Sequence, residues 1–242
     1  MTQGQQSLRN DDPVVRDLEI MSAAVNYRNW MYRQFASALG QRVIECGAGI
    51  GNFTQLLTER ELIVAVDCYG PCVSYLADRF RENPRVIPLQ MDISSAQLLD
   101  LSRYRPDTIV CVNVLEHVED DVGTLQHMRM LLGDGGRLAL LVPAFQCLYG
   151  SVDRMLGHYR RYGYQELREK LTQSGLKIRE MFYFNAVAPF GWFMNNRVFK
   201  RTEESPTQVM VFDRWIVPWL SQLERICKPP YGLSLIVIGE AS

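Results

Sequence analysis

Two groups of residues in this 242-residue chain have the types and spacing for chemistry. The first is a glycine loop, Glu45-Cys46-Gly47-Ala48-Gly49-Ile50-Gly51, fed by the apolar pair Val43-Ile44 and followed by Asp67 and Asp92. Glycines let the chain turn sharply and let a ligand touch the main chain. The spacing is G-x-G-x-G, and Asn52 stands where a pyrophosphate-binding G-x-G-x-x-G has its third glycine. Glu45 points the same way, since a carboxylate there repels a pyrophosphate and suits a ligand with an ammonium group. Asp67, with Cys68 beside it, closes the next apolar run, where an acid can accept from both hydroxyls of a ribose. Asp92 can accept from the exocyclic amine of an adenine while Ile93 packs on the ring. Its other reading is a helix N-cap, a role that Ser94 or Ser95 could fill instead.

The second group is the histidines, of which the chain has three. His117 ends Asn113-Val114-Leu115-Glu116-His117, and His158 lies in Gly157-His158-Tyr159-Arg160-Arg161-Tyr162. His127 falls in mid-helix and reads as a surface residue.

These residues need a scaffold that gathers them at one edge. Short apolar runs alternate with amphipathic segments from Gln41 onward. Strands are expected at Arg42–Cys46, Leu62–Asp67, Arg85–Leu89, Asp107–Asn113 and Gly136–Pro143. Helices are expected near Asn52–Arg60, Pro71–Arg81, Ala96–Ser102 and Asp120–Leu132. This alternation predicts an α/β fold around a parallel sheet, whose carboxyl edge binds ligands. A helical extension, Val14–Leu39, precedes the first strand. After it come a long connection at 144–164, a helix at Tyr164–Ser174 ended by Gly175, and strands at Ile178–Phe184 and Leu233–Gly239. Between those two strands, 185–231 forms an aromatic-rich insertion with the character of a lid. The whole chain, 1–242, reads as a single domain with residues 1–40 as its N-terminal extension.

Taken together, the loop at 45–51, Asp67, Asp92-Ile93 and Asn113-Val114-Leu115-Glu116-His117-Val118 resemble the class I S-adenosylmethionine-dependent methyltransferases. The resemblance implies a doubly wound, Rossmann-like, seven-stranded and mostly parallel sheet with its last strand antiparallel. It implies that Glu45, Gly47, Ala48, Gly49, Asp67, Cys68, Asp92 and Ile93 line S-adenosyl-L-methionine (product S-adenosyl-L-homocysteine), with Asn113, Val114 and Leu115 beneath it. Tyr27 and Trp30 would cover the methionine end, or simply pack the N-terminal helix. Val142-Pro143-Ala144, Leu148-Tyr149-Gly150, Asp153, the segment 157–162 and Gly232-Leu233-Ser234-Leu235 resemble a bacterial subgroup that acts on specialised metabolites, polysaccharides and glycolipids.

Methyl transfer from a sulfonium needs alignment above all, and needs a base when the acceptor is a hydroxyl or a protonated amine. His117 and His158 are the candidates. Each also has a structural reading, His117 as an orienting helix-entry residue and His158 as a loop anchor. Glu116-His117 with His158 resembles the metal-ligand pattern of the ubiquinone-pathway O-methyltransferases and small-RNA 2′-O-methyltransferases. Asn113 replaces their first glutamate, which weakens a site for a hard cation, and no metal is assigned. Asp153, Arg154, Arg160 and Arg161 could bind a carboxylate or phosphate, or brace a loop. Tyr149, Phe184 and Trp192 are further candidates for the acceptor side. The aromatics from Phe182 to Phe193 read as core, as an apolar wall, or as a membrane-surface contact.

Composition narrows the classes. A formal net charge of -1 provides no field for a nucleic-acid backbone. Met1–Asn10 is a polar leader and not a signal peptide, and no run is long enough for a membrane span. The six cysteines form no C-x-x-C pair and read as buried, reduced thiols of a cytoplasmic protein. The expected partner is a small-molecule acceptor. A NAD-type oxidoreductase on a similar sheet, or a non-catalytic S-adenosylmethionine-binding protein, are the alternatives.

Overall fold

In the computed structural model, which describes residues 12–193 and 206–242, the apolar runs pair into one sheet. Its strands are β1 (Arg42–Cys46), β2 (Leu62–Asp67), β3 (Val86–Gln90), β4 (Thr108–Val112), β5 (Arg137–Pro143), β6 (Leu176–Phe184) and β7 (Ser234–Ala241), in the order β3-β2-β1-β4-β5-β7-β6. β1 to β5 pair in parallel, and β7 runs antiparallel between β5 and β6. The seven-stranded Rossmann-like sheet expected from the resemblance is therefore present. The chain reverses its direction of winding beside β1, which lies between β2 and β4, and this switch point puts the glycine loop in the ligand-binding crevice.

Both faces of the sheet are covered, so its central strands are mainly apolar, with Glu45 and Thr108 as buried polar exceptions. One face packs Ile44, Val64, Ile109 and Leu140 against α4 (Asp121–Leu132) and α6 (Tyr164–Gln173). The other packs Val43, Ile63, Val110 and Leu141 against α2 (Val25–Phe35) and α3 (Gly70–Arg79). α6 ends at Gly175, whose φ of 78° permits the turn and whose N–H reaches the Thr172 carbonyl, as expected.

Three local expectations change. The N-terminal extension is two helices, α1 (Pro13–Ser22) and α2, broken at Ala23-Ala24. Asp12 caps α1 by accepting from the N–H groups of Val14 and Val15. The break lets α1 lie on the glycine loop while α2 enters the core. The helix expected at Asn52–Arg60 is one 3₁₀ turn, Thr54–Leu56. Thr54 is tied by its hydroxyl to buried Glu45, which holds the segment against β1. The segment after β3 is also 3₁₀, Ala96–Tyr104, capped by Ser95.

The connection at 144–164 contains a short helix, α5 (Ser151–Met155), and the insertion contains α7 (Ala188–Phe193), α8 (Pro206–Val211), a π turn (Phe212–Ile216) and α9 (Val217–Ile226). The polar leader and insertion residues 194–205 lie outside the described residues. All six cysteines are free; Cys46, Cys72 and Cys111 are buried as expected, whereas Cys68, Cys147 and Cys227 are exposed. Among the described residues no helix is long and apolar enough to cross a membrane.

Candidate active site

The glycine loop is held by main-chain bonds. Gly47, Gly49 and Gly51 have φ of 71°, 55° and 84°, a region that favours glycine. A Cβ on Gly47 would lie 2.1 Å from the Val114 side chain, so the loop and the turn after β4 are in direct contact. The Ala48 N–H reaches the Val66 carbonyl at 2.9 Å, and the Gly49 N–H donates to Asp67 Oδ2 at 2.8 Å. Asp67 Oδ1 accepts from the Tyr69 N–H at 2.9 Å. Asp67 thus fixes the loop while remaining partly open at the sheet edge.

Glu45 is buried and accepts from Thr54 Oγ1 at 2.7 Å. Burial pushes its pKa up to about 8, against the opposing hydrogen bond from Thr54. Its carboxyl therefore braces the loop from behind. Asp92 is exposed and accepts from the N–H and hydroxyl of Ser94; because Ser95 caps the following helix, Asp92 is free of that role. Cys68 is exposed, Ile93 and Leu115 are buried, and Asn113 is exposed with a φ of 52°.

One element of this region went unread in the sequence. α1 lies on the loop: a Cβ on Gly49 would sit 3.1 Å from Leu18, and Asn52 Nδ2 donates to the Leu18 carbonyl at 2.8 Å. Asp12-Pro13, a cap followed by proline at the first helical position, was the available signal.

Tyr27, Trp30 and Phe184 form one aromatic group, with Trp30 and Phe184 ring centroids 4.2 Å apart. Trp30 and Phe184 are each only 1% exposed. These two side chains pack α2 against the end of β6 and leave little surface for a ligand, whereas Tyr27 is half-buried.

Two of the three histidines come together at this edge. His117 and His158 have ring centroids 4.6 Å apart at 89°. His158 Nδ1 bonds Asp153 Oδ1 at 3.0 Å, and Asp153 is fully buried, accepting also from Arg161 Nε and the Gly150 N–H, each at 2.8 Å. Burial alone would raise the Asp153 pKa, but the bonds from His158 and the Arg161 charge bring it below the usual value. An ionised Asp153 assigns the proton to Nδ1 and leaves the His158 Nε2 lone pair free. His117 is exposed at the rim of the pair; desolvation of its ring, and then the second imidazole, push its pKa down to about 4, against the opposing effect of the Leu156 carbonyl. Glu116 is buried, neither carboxylate oxygen has a hydrogen-bond partner from another residue, and burial raises its pKa to about 8. Glu116, His117 and His158 offer ligand atoms all within 4.8 Å of one another.

The basic cluster is committed to the loop. Arg161 is 2% exposed and holds Asp153 and the Ala144 carbonyl, while Arg160 holds Asp121 at 2.7 Å and the Glu119 carbonyl. Trp192 lies under the Arg161 guanidinium, 4.6 Å from its ring centroid. The Tyr149 hydroxyl donates to the His158 carbonyl at 2.7 Å. Asp153, Arg160, Arg161 and Tyr149 therefore brace the loop that carries His158.

A sequence profile described as a methyltransferase domain matches residues 24–181. The chain belongs to this methyltransferase family. Many solved structures share its fold, two of which illustrate the likeness. One is an S-adenosylmethionine-dependent methyltransferase from Mesorhizobium loti, with 13% identity, TM-score 0.59, and coverage of 87% of this chain and 97% of that one. The other is the magnesium protoporphyrin IX methyltransferase of Synechocystis with bound S-adenosylhomocysteine, with 14% identity, TM-score 0.56, and coverage of 99% and 94%. A comparison with curated protein sequences gave no match.

The methyltransferase has residues that fit S-adenosylmethionine. The loop leaves no room for a side chain at Gly47. Carboxylates follow β2 and β3 on the same edge, Asp67 with lone pairs beyond its two loop bonds and Asp92 exposed.

Proposed function

We propose that the chain transfers a methyl group to a hydroxyl of a small-molecule acceptor, with His158 as the base. The observation that supports this most is the buried Asp153–His158 pair next to His117. S-adenosylmethionine, when bound, supplies an electrophilic methyl on a sulfonium. In this reading Gly47, Ala48 and Gly49 hold its amino-acid end, Asp67 its ribose, and Asp92 with Ile93 its adenine, over Asn113, Val114 and Leu115. Asp153 keeps the His158 tautomer fixed, so that Nε2 accepts the acceptor's proton, and the resulting imidazolium is stabilised by the ionised carboxylate. His117, with its pKa near 4, stays neutral and orients the acceptor. Trp192 and the loop carrying Tyr149 border the acceptor side.

The test is labelled methyl transfer to a panel of saccharide, phenol and amine acceptors. Hydroxyl acceptors that lose turnover in His158→Ala, with S-adenosylhomocysteine affinity unchanged, support the assignment. Methylation confined to amines, or undiminished in His158→Ala, removes it.

The convergence of Glu116, His117 and His158 favours a second reading. One carboxylate and two imidazoles are a ligand set for manganese, iron or zinc. Asp153 behind His158 is the kind of outer hydrogen bond that metal-bound histidines use. A cation there would polarise the acceptor oxygen. Loss of turnover on chelation, restored by one of these metals, selects this reading; turnover indifferent to chelator selects the base.

A further inference from the structure

The insertion helix over 206–226 has its acids inside, beside Val217 and Leu220, and a row of large apolar side chains outside. Asp213 is buried and accepts from the N–H groups of Asn26 and Tyr27 at the start of α2. Glu224 is buried and accepts from the N–H groups of Asn185 and Ala186. These bonds fix which way the helix faces. Turned to solvent are Trp215 (65% exposed), Trp219 (80%), Leu223 (63%) and Ile226 (86%). Their spacing of four, four and three residues sets them along one stripe. Met210 and Val211 are exposed in the preceding turn, and the segment bonded to Glu224 carries exposed Val187 and Phe190. Single exposed apolar residues are ordinary, but a stripe of this kind marks an interaction surface.

The exposed charges that the helix itself carries are of one sign. With Asp213 and Glu224 buried, the exposed charged side chains of residues 206–228 are Arg214, Arg225 and Lys228. Lys228 donates to Gln34 Oε1 and lies over the Phe182 ring, which leaves the two arginines for an outside partner. Tryptophans beside leucine and isoleucine, with arginines on the same helix, suit the headgroup layer of a bilayer. The described helix is too short and too polar to span one. A second copy of the chain is a poorer occupant, because a symmetric pairing would set the same cations against each other along the rim.

We infer that this helix lies in the plane of an anionic membrane surface, with Trp215, Trp219, Leu223 and Ile226 inserted and Arg214 and Arg225 at the phosphates. The inference is independent of the chemistry proposed for the histidines. It also gives the insertion between β6 and β7 a role beyond covering the sheet edge.

The test is co-sedimentation of the full chain with vesicles of phosphatidylcholine, with and without phosphatidylglycerol. Binding is expected on the anionic vesicles, with a blue shift of tryptophan emission and weakening as salt is raised. The double variant Trp219→Glu, Leu223→Glu should lower the bound fraction by about tenfold or more, and Arg214→Gln, Arg225→Gln should abolish the preference for anionic lipid. S-adenosylhomocysteine affinity, measured in parallel, should stay unchanged and so establish that the variants fold. Protein that stays in the supernatant with both vesicle types overturns the inference, as does equal binding to both. A dimer in light scattering that Trp219→Glu dissolves would assign the face to a second copy instead.

Discussion

The two halves of the carboxyl edge are built in different ways. Around β1 and β2 the site is made of backbone: Gly49 and Tyr69 N–H groups meet Asp67, and the Ala48 N–H meets the Val66 carbonyl. Around 144–164 and the insertion it is made of buried side chains tied across the chain. Asp153 holds His158 and Arg161, Asp121 holds Arg160 and Lys170, and Asp213 holds α2. The first half has little freedom, because a glycine turn with positive φ accepts few alternatives. The second half can change acceptor by exchanging side chains while the sheet stays put. A methyltransferase family with one donor and many acceptors would be expected to divide its edge in this way.

The sharpest way to break this comparison is to remove one member from the side-chain half. His158→Ala should lower kcat by about 10²–10⁴-fold while S-adenosylhomocysteine binds as before in calorimetry. Asp153→Asn should reproduce part of that loss and add little to it in the double variant, because the two act as a unit. If His158→Ala instead weakens cofactor binding and spares kcat, the two halves are not separable.

The next effect tests the backbone half. Asp67→Ala removes the carboxylate that holds Gly49 and is assigned to the ribose. Loss of charge-assisted bonds of this kind should weaken S-adenosylhomocysteine roughly 10–150-fold, with little change in Tm, since Asp67 is only partly buried. Unaltered affinity would move the ribose elsewhere.

The same division explains what the sequence disclosed. Gly47, Gly49, Asp67 and Asp92 are spaced along strands whose period is plain in the chain, so sheet and loop were legible together. His117 and His158 were legible as a pair because only three histidines exist. Trp30 and Phe184 were harder, since an aromatic near a site and an aromatic in the core have the same local pattern. Arg160 and Arg161 offered a ligand site or a brace, and the choice depended on Asp121 and Asp153, whose positions only the fold supplies. α1 on the loop, and Asp213 at the start of α2, left almost no periodic trace.

A smaller effect separates the brace role of Glu45 from ligand contact. Its pKa rises from 4.5 to about 8 on burial, so the folded chain keeps a proton that the unfolded chain releases. That stability is full below 4.5 and is lost as pH rises through about 8, at a slope of at most about 1.4 kcal/mol per pH unit. Glu45→Gln removes the titrating group and leaves an oxygen for Thr54 Oγ1. In denaturant titrations without cofactor, the variant should lose stability less steeply than the parent between pH 5 and pH 9, a range of about 4 units; the decline it keeps is that of Glu116, raised to about 8 in both. Parallel profiles would mean that Glu45 is not protonated behind the loop.

The smallest effect lies where the two halves meet. α2 has no side-chain cap of its own, because Ala24 stands at the N-cap position. Asp213, from the insertion, supplies what is missing: Oδ1 accepts from the Tyr27 N–H at 2.7 Å, and Oδ2 from the Asn26 N–H at 3.2 Å. A carboxylate there also meets the positive end of the helix dipole. Asp213→Ala should cost about 0.5–2 kcal/mol of stability, the usual loss for a removed N-cap. Asp213→Asn should recover part of it, since its amide oxygen can still accept. Because Asn26 and Tyr27 lie in the first turn of α2, a loosened helix start should also raise amide exchange across them while Gly49 keeps its protection. Exchange rising at both places would mean that the insertion braces the cofactor loop as well as the helix, and that the acceptor half and the donor half are mechanically one.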